Sequence, residues 1–206
     1  MTQIEALTKL QALRQPFFET KDVAALLHVT NSNANKIAAR LAQVGLLVPI
    51  RRGRWALRDR VNKLAIPESL TSPYPAYMSL QSALYHHGMI SQVPAVTYAV
   101  SLARTRCYYT PLGTFSVHHA EPEFFFGYEL DRSGLAKIAT PEKALADIFY
   151  FSPTKRKLFA ALPELEFPPG FNWKTTFKMA NSIKSPARRK IAVQALTALH
   201  HDSART

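Results

Sequence analysis

The strongest structural pattern in the chain lies in residues 20–57, TKDVAALLHVTNSNANKIAARLAQVGLLVPIRRGRWAL. Apolar residues 23, 26 and 27 predict a helix of about two turns, which Thr20 caps and which ends near His28. A polar turn over residues 29–35 leads into a longer helix that ends at Gly45. The apolar residues of this longer helix recur at helical spacing: Ala34, Ile37, Ala38, Leu41 and Val44.

A hairpin follows this longer helix. Residues 47–50 and 55–57 are typical of two short strands, and Arg51-Arg52-Gly53-Arg54 joins them, with Gly53 in the turn. Upstream, leucines and an isoleucine at positions 4, 7, 10 and 13 predict a further short helix, which Pro16 terminates. A short helix, a tight turn, a longer helix and a hairpin together predict a winged helix-turn-helix domain in residues 1–61.

The distribution of charge supports a polyanionic partner. The formal net charge is +12. Residues 1–60 carry ten Lys/Arg and four Asp/Glu, residues 61–150 carry six and seven, and residues 151–206 carry ten and three. The chain is therefore basic at both ends around a nearly neutral middle, and nucleic acid is the natural candidate for its partner.

Double-stranded DNA is the expected partner of the winged module. Its longer helix is expected to enter the major groove, and its hairpin to reach phosphates or the minor groove. Asn33 and Asn35 are candidate readers of adenine, and Lys36 and Arg40 are candidate contacts to guanine or phosphate. The predicted DNA-binding residues are Ser32, Asn33, Asn35, Lys36, Arg40, Arg51, Arg52 and Arg54. A solvated helix face and a polar hairpin tip are the alternative interpretation of the same residues.

The remaining residues predict a connector and a second domain. Prolines with serine and threonine indicate a connector over residues 62–78, and the second domain then spans 79–206. Ser79 is expected to cap a helix that ends at Gly88. A small antiparallel sheet is expected from the β-branched and aromatic runs at 96–100, 106–109, 114–117 and 124–128.

Helices are expected to complete the second domain. Thr140 followed by Pro141 marks the start of a helix, and three further helices are predicted from Pro153 onward. The order of helix, sheet and helices makes the predicted fold class α+β: a winged helix-turn-helix followed by a mixed C-terminal domain.

These residues resemble the AbiEi-type antitoxins, which belong to a type IV toxin–antitoxin system linked to abortive infection by phage. The resemblance covers most of the chain. It depends on Gly45-Leu46-Leu47, the hairpin at 52–57, the segment 77–84 with His87-Gly88, and Ile138-Ala139-Thr140-Pro141-Glu142-Lys143-Ala144-Leu145-Ala146-Asp147. The last stretch is the most specific. Residues 106–117 depart from the family pattern because they are short and rich in tyrosine.

The resemblance implies two functions. The winged module would repress the protein's own operon by binding operator repeats. The C-terminal domain would counteract a nucleotidyltransferase-like toxin encoded next door, either directly or indirectly. The alternative is a stand-alone transcriptional regulator whose C-terminal domain senses a ligand or forms a dimer.

Catalytic chemistry is not expected. His86-His87, His118-His119 and His200-His201 are adjacent pairs, and neighbouring side chains point in different directions. The only acidic concentration is in residues 121–142, where a metal-dependent nuclease acting through Glu142 is the third and least favoured hypothesis. We therefore predict no catalytic residue, no metal site and no cofactor.

The sequence also indicates where in the cell the protein is located. The N-terminus lacks a signal-peptide pattern, no apolar run is long enough for a membrane span, and the single Cys107 fits a reducing compartment, so a cytoplasmic protein without a membrane partner is expected.

Two basic clusters, 155–157 and 188–190, could contact DNA or an acidic partner, or could be solvated helix ends.

Overall fold

Helices and strands are mixed along the chain, and the predicted α+β class is confirmed. The computed structural model describes residues 2–13, 15–152 and 164–203. Within these ranges the helices are α1 (Gln3–Ala12), α2 (Thr20–Leu27), α3 (Asn31–Gln43), α4 (Ile66–Thr71), α5 (Leu80–His86), α6 (Pro141–Phe151), α7 (Trp173–Asn181) and α8 (Pro186–Ser203). The strands are β1 (Phe17–Glu19), β2 (Leu47–Arg51), β3 (Arg54–Leu57), β4 (Ala76–Met78), β5 (Thr97–Ser101), β6 (Arg106–Thr110), β7 (Gly113–His119), β8 (Tyr128–Leu130) and β9 (Lys137–Ala139).

The first three helices pack on a three-stranded antiparallel sheet in the order β1-β3-β2. Strand β1 was not anticipated, because three residues are too few to show an alternating pattern; it pairs with β3. The expected cap of α2 is also wrong. Glu19 occupies the N-cap position and its backbone N donates to Asp22 Oδ2 at 2.7 Å, while Thr20 is the first helical residue.

Helix α3 begins earlier than predicted, because residues 31–35 belong to the helix and not to the preceding turn. Thr30 caps it by accepting a hydrogen bond from the backbone N of Asn33 at 3.3 Å. Ala34, Ala38 and Leu41 are buried, as their spacing predicts. Val44, expected on the same face, is 58% exposed because it lies beyond the last helical residue.

The segment predicted as a connector, residues 62–78, is well structured and requires correction. It contains a short 3-10 turn, α4 and β4. Ile66 and Leu70 of α4 are buried against Val48 and Ile50 of β2 and against Phe115 of β7. The far side of the N-terminal sheet is therefore packed onto the second half of the chain, and α4 fills the space between them.

The C-terminal sheet has six strands in the order β6-β7-β5-β4-β9-β8. It is mixed, so the predicted small antiparallel sheet is wrong: β5 pairs parallel with β7, and β4 pairs parallel with β9. Strands β4 and β9 were not predicted. Residues 124–126, predicted as strand, are not part of the sheet: Phe124 ends a 3-10 turn, the next two residues follow it, and all three phenyl rings pack inward.

Helices α5 to α8 complete the larger core, to which the strands β4, β5 and β9 contribute. Helix α6 is buried from Lys143 to Phe151, while α7 and α8 contribute Ala180, Ala192 and Leu196. Two of the three helices predicted after Pro153 are present, and residues 153–163 lie outside the described part of the chain. No helix among the described residues is long and apolar enough to cross a membrane.

Candidate functional site

The outer face of α3 carries five of the eight predicted DNA-binding residues, and all five side chains are exposed. Ser32, Lys36 and Arg40 recur every four residues, so they form a line along the helix. Asn33 flanks this line on one side and Asn35 on the other. Within the described ranges, none of these five side chains forms a hydrogen bond or an ion pair. They are therefore available to a ligand.

The tip of the β2–β3 hairpin is held against the start of α2. Gly53 makes the turn with φ +76°, a conformation that glycine adopts without strain. Its carbonyl oxygen accepts a hydrogen bond from the backbone N of Thr20 at 2.9 Å, and Trp55 Nε1 donates to Thr20 Oγ1 at 3.1 Å. These contacts fix the hairpin tip relative to the helices instead of leaving it as a free arm.

The three hairpin arginines do not share one role. Arg52 is exposed, and within the described part of the chain it has no hydrogen-bonding or charged partner. Arg54 is only 16% exposed; its Nη1 donates to Ser69 O at 2.6 Å and its Nη2 lies 3.4 Å from Glu19 Oε1. Arg54, one of the predicted DNA-binding residues, is therefore turned toward α4 and not outward, because α4 lies behind the hairpin and presents the Ser69 carbonyl group to it.

Arg51 also contacts α4 but stays exposed. Its Nη1 donates to Leu70 O at 3.3 Å and its Nη2 to Ser72 O at 3.2 Å. Neutral carbonyls orient the guanidinium without compensating its charge. Arg51 therefore has two roles, tying the hairpin to α4 and contributing a fixed positive charge to the surface.

A groove of about 410 Å³ connects the start of α3 with the hairpin tip. Asn31 lies on the helix side of this groove, and Arg51 and Arg52 lie on the hairpin side. Its one carboxylate, Glu19, contacts Lys21 Nζ at 2.8 Å. The hydrogen bond from Lys21 holds the pKa of Glu19 below its ordinary value of 4.5. The carboxylate is thus ionised but compensated, and the groove remains positive.

The segment that carries this surface is free of acidic residues. Residues 31–57 contain five Lys/Arg and no Asp or Glu. The charge excess of the N-terminal unit is therefore concentrated on α3 and the hairpin and not distributed evenly over it. A surface of this kind attracts phosphates over several ångströms.

The most specific motif of the sequence, residues 138–147, forms the centre of the core. Lys143 and Asp147 are both 0% exposed, with Lys143 Nζ 2.8 Å from Asp147 Oδ1 and 2.8 Å from Phe124 O. Asp147 Oδ2 accepts hydrogen bonds from Tyr77 Oη at 3.0 Å and Ser79 Oγ at 2.6 Å. Ser79 thus occupies the N-cap position of α5, but its hydroxyl group does not cap the helix as expected.

Aromatic rings complete the environment of the buried lysine. Its ammonium lies 3.5 Å from the ring centroid of Phe124 and 4.5 Å from that of Phe126. Burial lowers the pKa of Lys143 and raises that of Asp147, and their mutual contact opposes both shifts. Because no part of either side chain reaches the surface, this pair organises the core and cannot meet a macromolecular substrate.

The histidines and acidic residues considered for metal chemistry do not converge. No group of three or more His, Cys, Asp or Glu among the described residues is arranged to hold a metal ion. His87 Nε2 contacts Ala139 O at 2.7 Å. Glu142, the candidate nuclease residue, accepts a hydrogen bond from the backbone N of Asn172 at 3.0 Å. Both side chains join neighbouring elements of the fold.

One basic cluster of the tail, residues 155–157, lies outside the described residues. The other, residues 188–190, lies in the first turns of α8, where the helix dipole does not favour basic side chains. The Arg188 guanidinium lies 4.7 Å from the ring centroid of Tyr150.

Two exposed arginines, Arg104 and Arg106, were missed as candidates. They belong to the nearly neutral middle of the chain, and nothing in the local sequence marks them. The fold brings them to the same cleft as Arg51.

In comparisons with known proteins, no family model and no curated protein matches the chain. The resemblance to AbiEi-type antitoxins therefore stays a prediction that depends on the residues quoted above.

Proposed function

We propose that residues 1–61 are a winged helix-turn-helix that binds double-stranded DNA, and that the protein represses its own operon as the antitoxin of a toxin–antitoxin pair. In this proposal α3 enters the major groove, where Asn33, Asn35 and Arg40 meet base edges or phosphates. Arg52, at the hairpin tip, contacts the backbone or the minor groove beside it.

The observation that carries the proposal is the exposed basic surface formed by α3 and the hairpin tip, which belong to a segment without Asp or Glu. Ser32, Lys36 and Arg40 form a line with no intramolecular partners among the described residues, and Arg52 adds a further charge nearby. Residues 31–57 contain five Lys/Arg and no Asp or Glu. A surface that is merely solvated would not need such a one-sided charge. Contact with a phosphate backbone explains this bias, because each neutralised phosphate releases condensed counterions.

Salt-dependent DNA binding tests the first half of the proposal. Fluorescence anisotropy with a labelled duplex from the upstream region of the gene would give log K against log[salt]. Replacing Lys36 and Arg40 by Ala should reduce the slope by about 1.8, or about 0.9 for each phosphate that is no longer neutralised.

The double change Arg132→Ala and Lys174→Ala is the matched control. Both residues are exposed and the net charge falls equally, but the residues lie in the β8–β9 loop and on α7. Equal slopes for the test variant and the control would contradict the placement of the interface on α3.

Neutralisation of a toxin is the second half of the proposal, and it depends on the resemblance to the AbiEi family. Growth of cells that express the adjacent gene, with and without this protein, tests it directly. The expected result is growth arrest by the adjacent gene alone and rescue on co-expression. Absence of a toxic, nucleotidyltransferase-like neighbour would contradict the antitoxin role while leaving DNA binding intact.

A further inference from the structure

A second basic cleft lies where the N-terminal unit meets the six-stranded sheet. It has a volume of about 600 Å³ and is bordered by the end of β2, the residues that follow α4 and the start of β6. Arg51, Arg104 and Arg106 line it together with Tyr74 and Tyr108. All three arginines are exposed to solvent.

The cleft contains no compensating negative charge. Its lining residues include no Asp or Glu, and none of the three arginines forms a salt bridge within the described ranges. Arg51 is held by the carbonyls of Leu70 and Ser72, which orient it but leave its charge intact. The Arg106 guanidinium lies 5.2 Å from the ring centroid of Tyr108, a contact that limits its conformational freedom.

Three like charges brought to one cleft repel each other unless an anion joins them. Guanidinium groups bind phosphate in two-point contacts, and arginine is favoured over lysine where phosphate is recognised in this way. The chemistry of the cleft therefore fits a phosphate group, which a DNA backbone or a small phosphorylated molecule could supply.

The continuity of the surface indicates which source is correct. Arg51 borders both this cleft and the groove between α3 and the hairpin tip. Arg51 therefore joins the two basic surfaces, and a phosphate backbone that followed them would pass from the hairpin tip to the cleft. We propose that Arg104 and Arg106 bind backbone phosphates of the same duplex beside the segment contacted by α3. This inference rests on the proposed function.

The test is the salt dependence of duplex binding by an Arg104→Ala/Arg106→Ala variant of the full chain. The measured slope should fall by about 1.8, or about 0.9 for each of the two phosphates. An Arg104→Lys/Arg106→Lys variant keeps both charges and should retain most of the slope. The Arg132→Ala/Lys174→Ala variant should bind as the wild type does. Arg51 is left unchanged because its replacement would also release α4.

The outcomes separate this inference from the proposed function. If Lys36→Ala/Arg40→Ala reduces the slope but Arg104→Ala/Arg106→Ala does not, the inference is overturned and the proposed interface stands. If the wild-type protein shows no salt-dependent binding to duplex, both are overturned.

Titration with inorganic phosphate tests the alternative that the cleft binds a small phosphorylated molecule and not DNA. If phosphate raises the melting temperature of the wild type but not of Arg104→Ala/Arg106→Ala, while the two bind DNA equally, the cleft serves a free ligand and the inference fails. Circular dichroism confirms that each variant is folded.

Discussion

Replacement of Lys143 by Met tests whether the buried ion pair organises the core of the larger unit. Methionine keeps most of the aliphatic volume but removes the ammonium. Asp147 would then remain fully buried with hydrogen bonds from Tyr77 and Ser79 but without its cationic partner, 2.8 Å away in the native protein.

The expected destabilisation follows from the burial of both groups. Removal of one partner from a fully buried pair costs about 3–5 kcal/mol, because the other charge stays desolvated. For a chain of this size, each kcal/mol shifts the melting temperature by roughly 2–4 °C, so a decrease of roughly 6–20 °C is expected. Urea unfolding followed by circular dichroism would measure the free energy of unfolding.

Two further variants make the test specific. Adding Asp147→Asn to Lys143→Met removes the unpaired charge and keeps an acceptor for Tyr77 and Ser79, so part of the stability should be recovered. Lys178→Met, the same change at an exposed position on α7, should lie within about 0.5 kcal/mol of the wild type. The reasoning would be refuted if Lys143→Met lowered the free energy of unfolding by less than about 1 kcal/mol, or if the double variant were less stable than Lys143→Met.

Three other predictions concern stability. Gly127→Ala should cost about 1–3 kcal/mol in urea unfolding, because φ is +75° and the new Cβ would lie 3.0 Å from the buried lysine chain; wild-type stability would contradict this close packing. Arg54→Ala should cost about 1–3 kcal/mol because it removes the hydrogen bond to α4, whereas Arg52→Ala should change stability by less than about 0.5 kcal/mol, and equal effects would refute their different roles. The pKa of Glu19 is lowered mainly by Lys21, so its ion pairs stabilise the fold above the unfolded pKa and are lost as pH falls through the folded pKa; the stability difference between wild type and Glu19→Gln should therefore vanish in acid, and a difference independent of pH would contradict it.

Local sequence predicted the longer helices, although not their first residues, and it missed the short helix α4. The spacing of Ala34, Ala38 and Leu41 located α3, and Gly53 located the hairpin turn. Each of these features depends on residues within a few positions of one another, where helical period, capping and turn chemistry act. The α+β class followed from the order of such elements.

The order and direction of the strands in the sheet could not be predicted from local sequence. The parallel pairs β5–β7 and β4–β9 join strands that are separated by other elements, and three-residue strands such as β4 and β9 carry too little pattern to be recognised. The aromatic run at 124–128 was likewise predicted as a strand, although the rings of Phe124 and Phe126 pack around Lys143. Pairing over long distances depends on how whole elements pack, and no local window contains that information.

By itself, the sequence determined where the positive charge lies along the chain, where most of the longer helices form and where the hairpin turns. Only the tertiary structure decided which charges face outward. It turned Arg54 toward the carbonyls of α4, enclosed Lys143 with Asp147, and placed Arg104 and Arg106 beside Arg51. The reason is that the direction and environment of a side chain depend on the element packed behind it, and that neighbour is chosen by the burial of the whole chain.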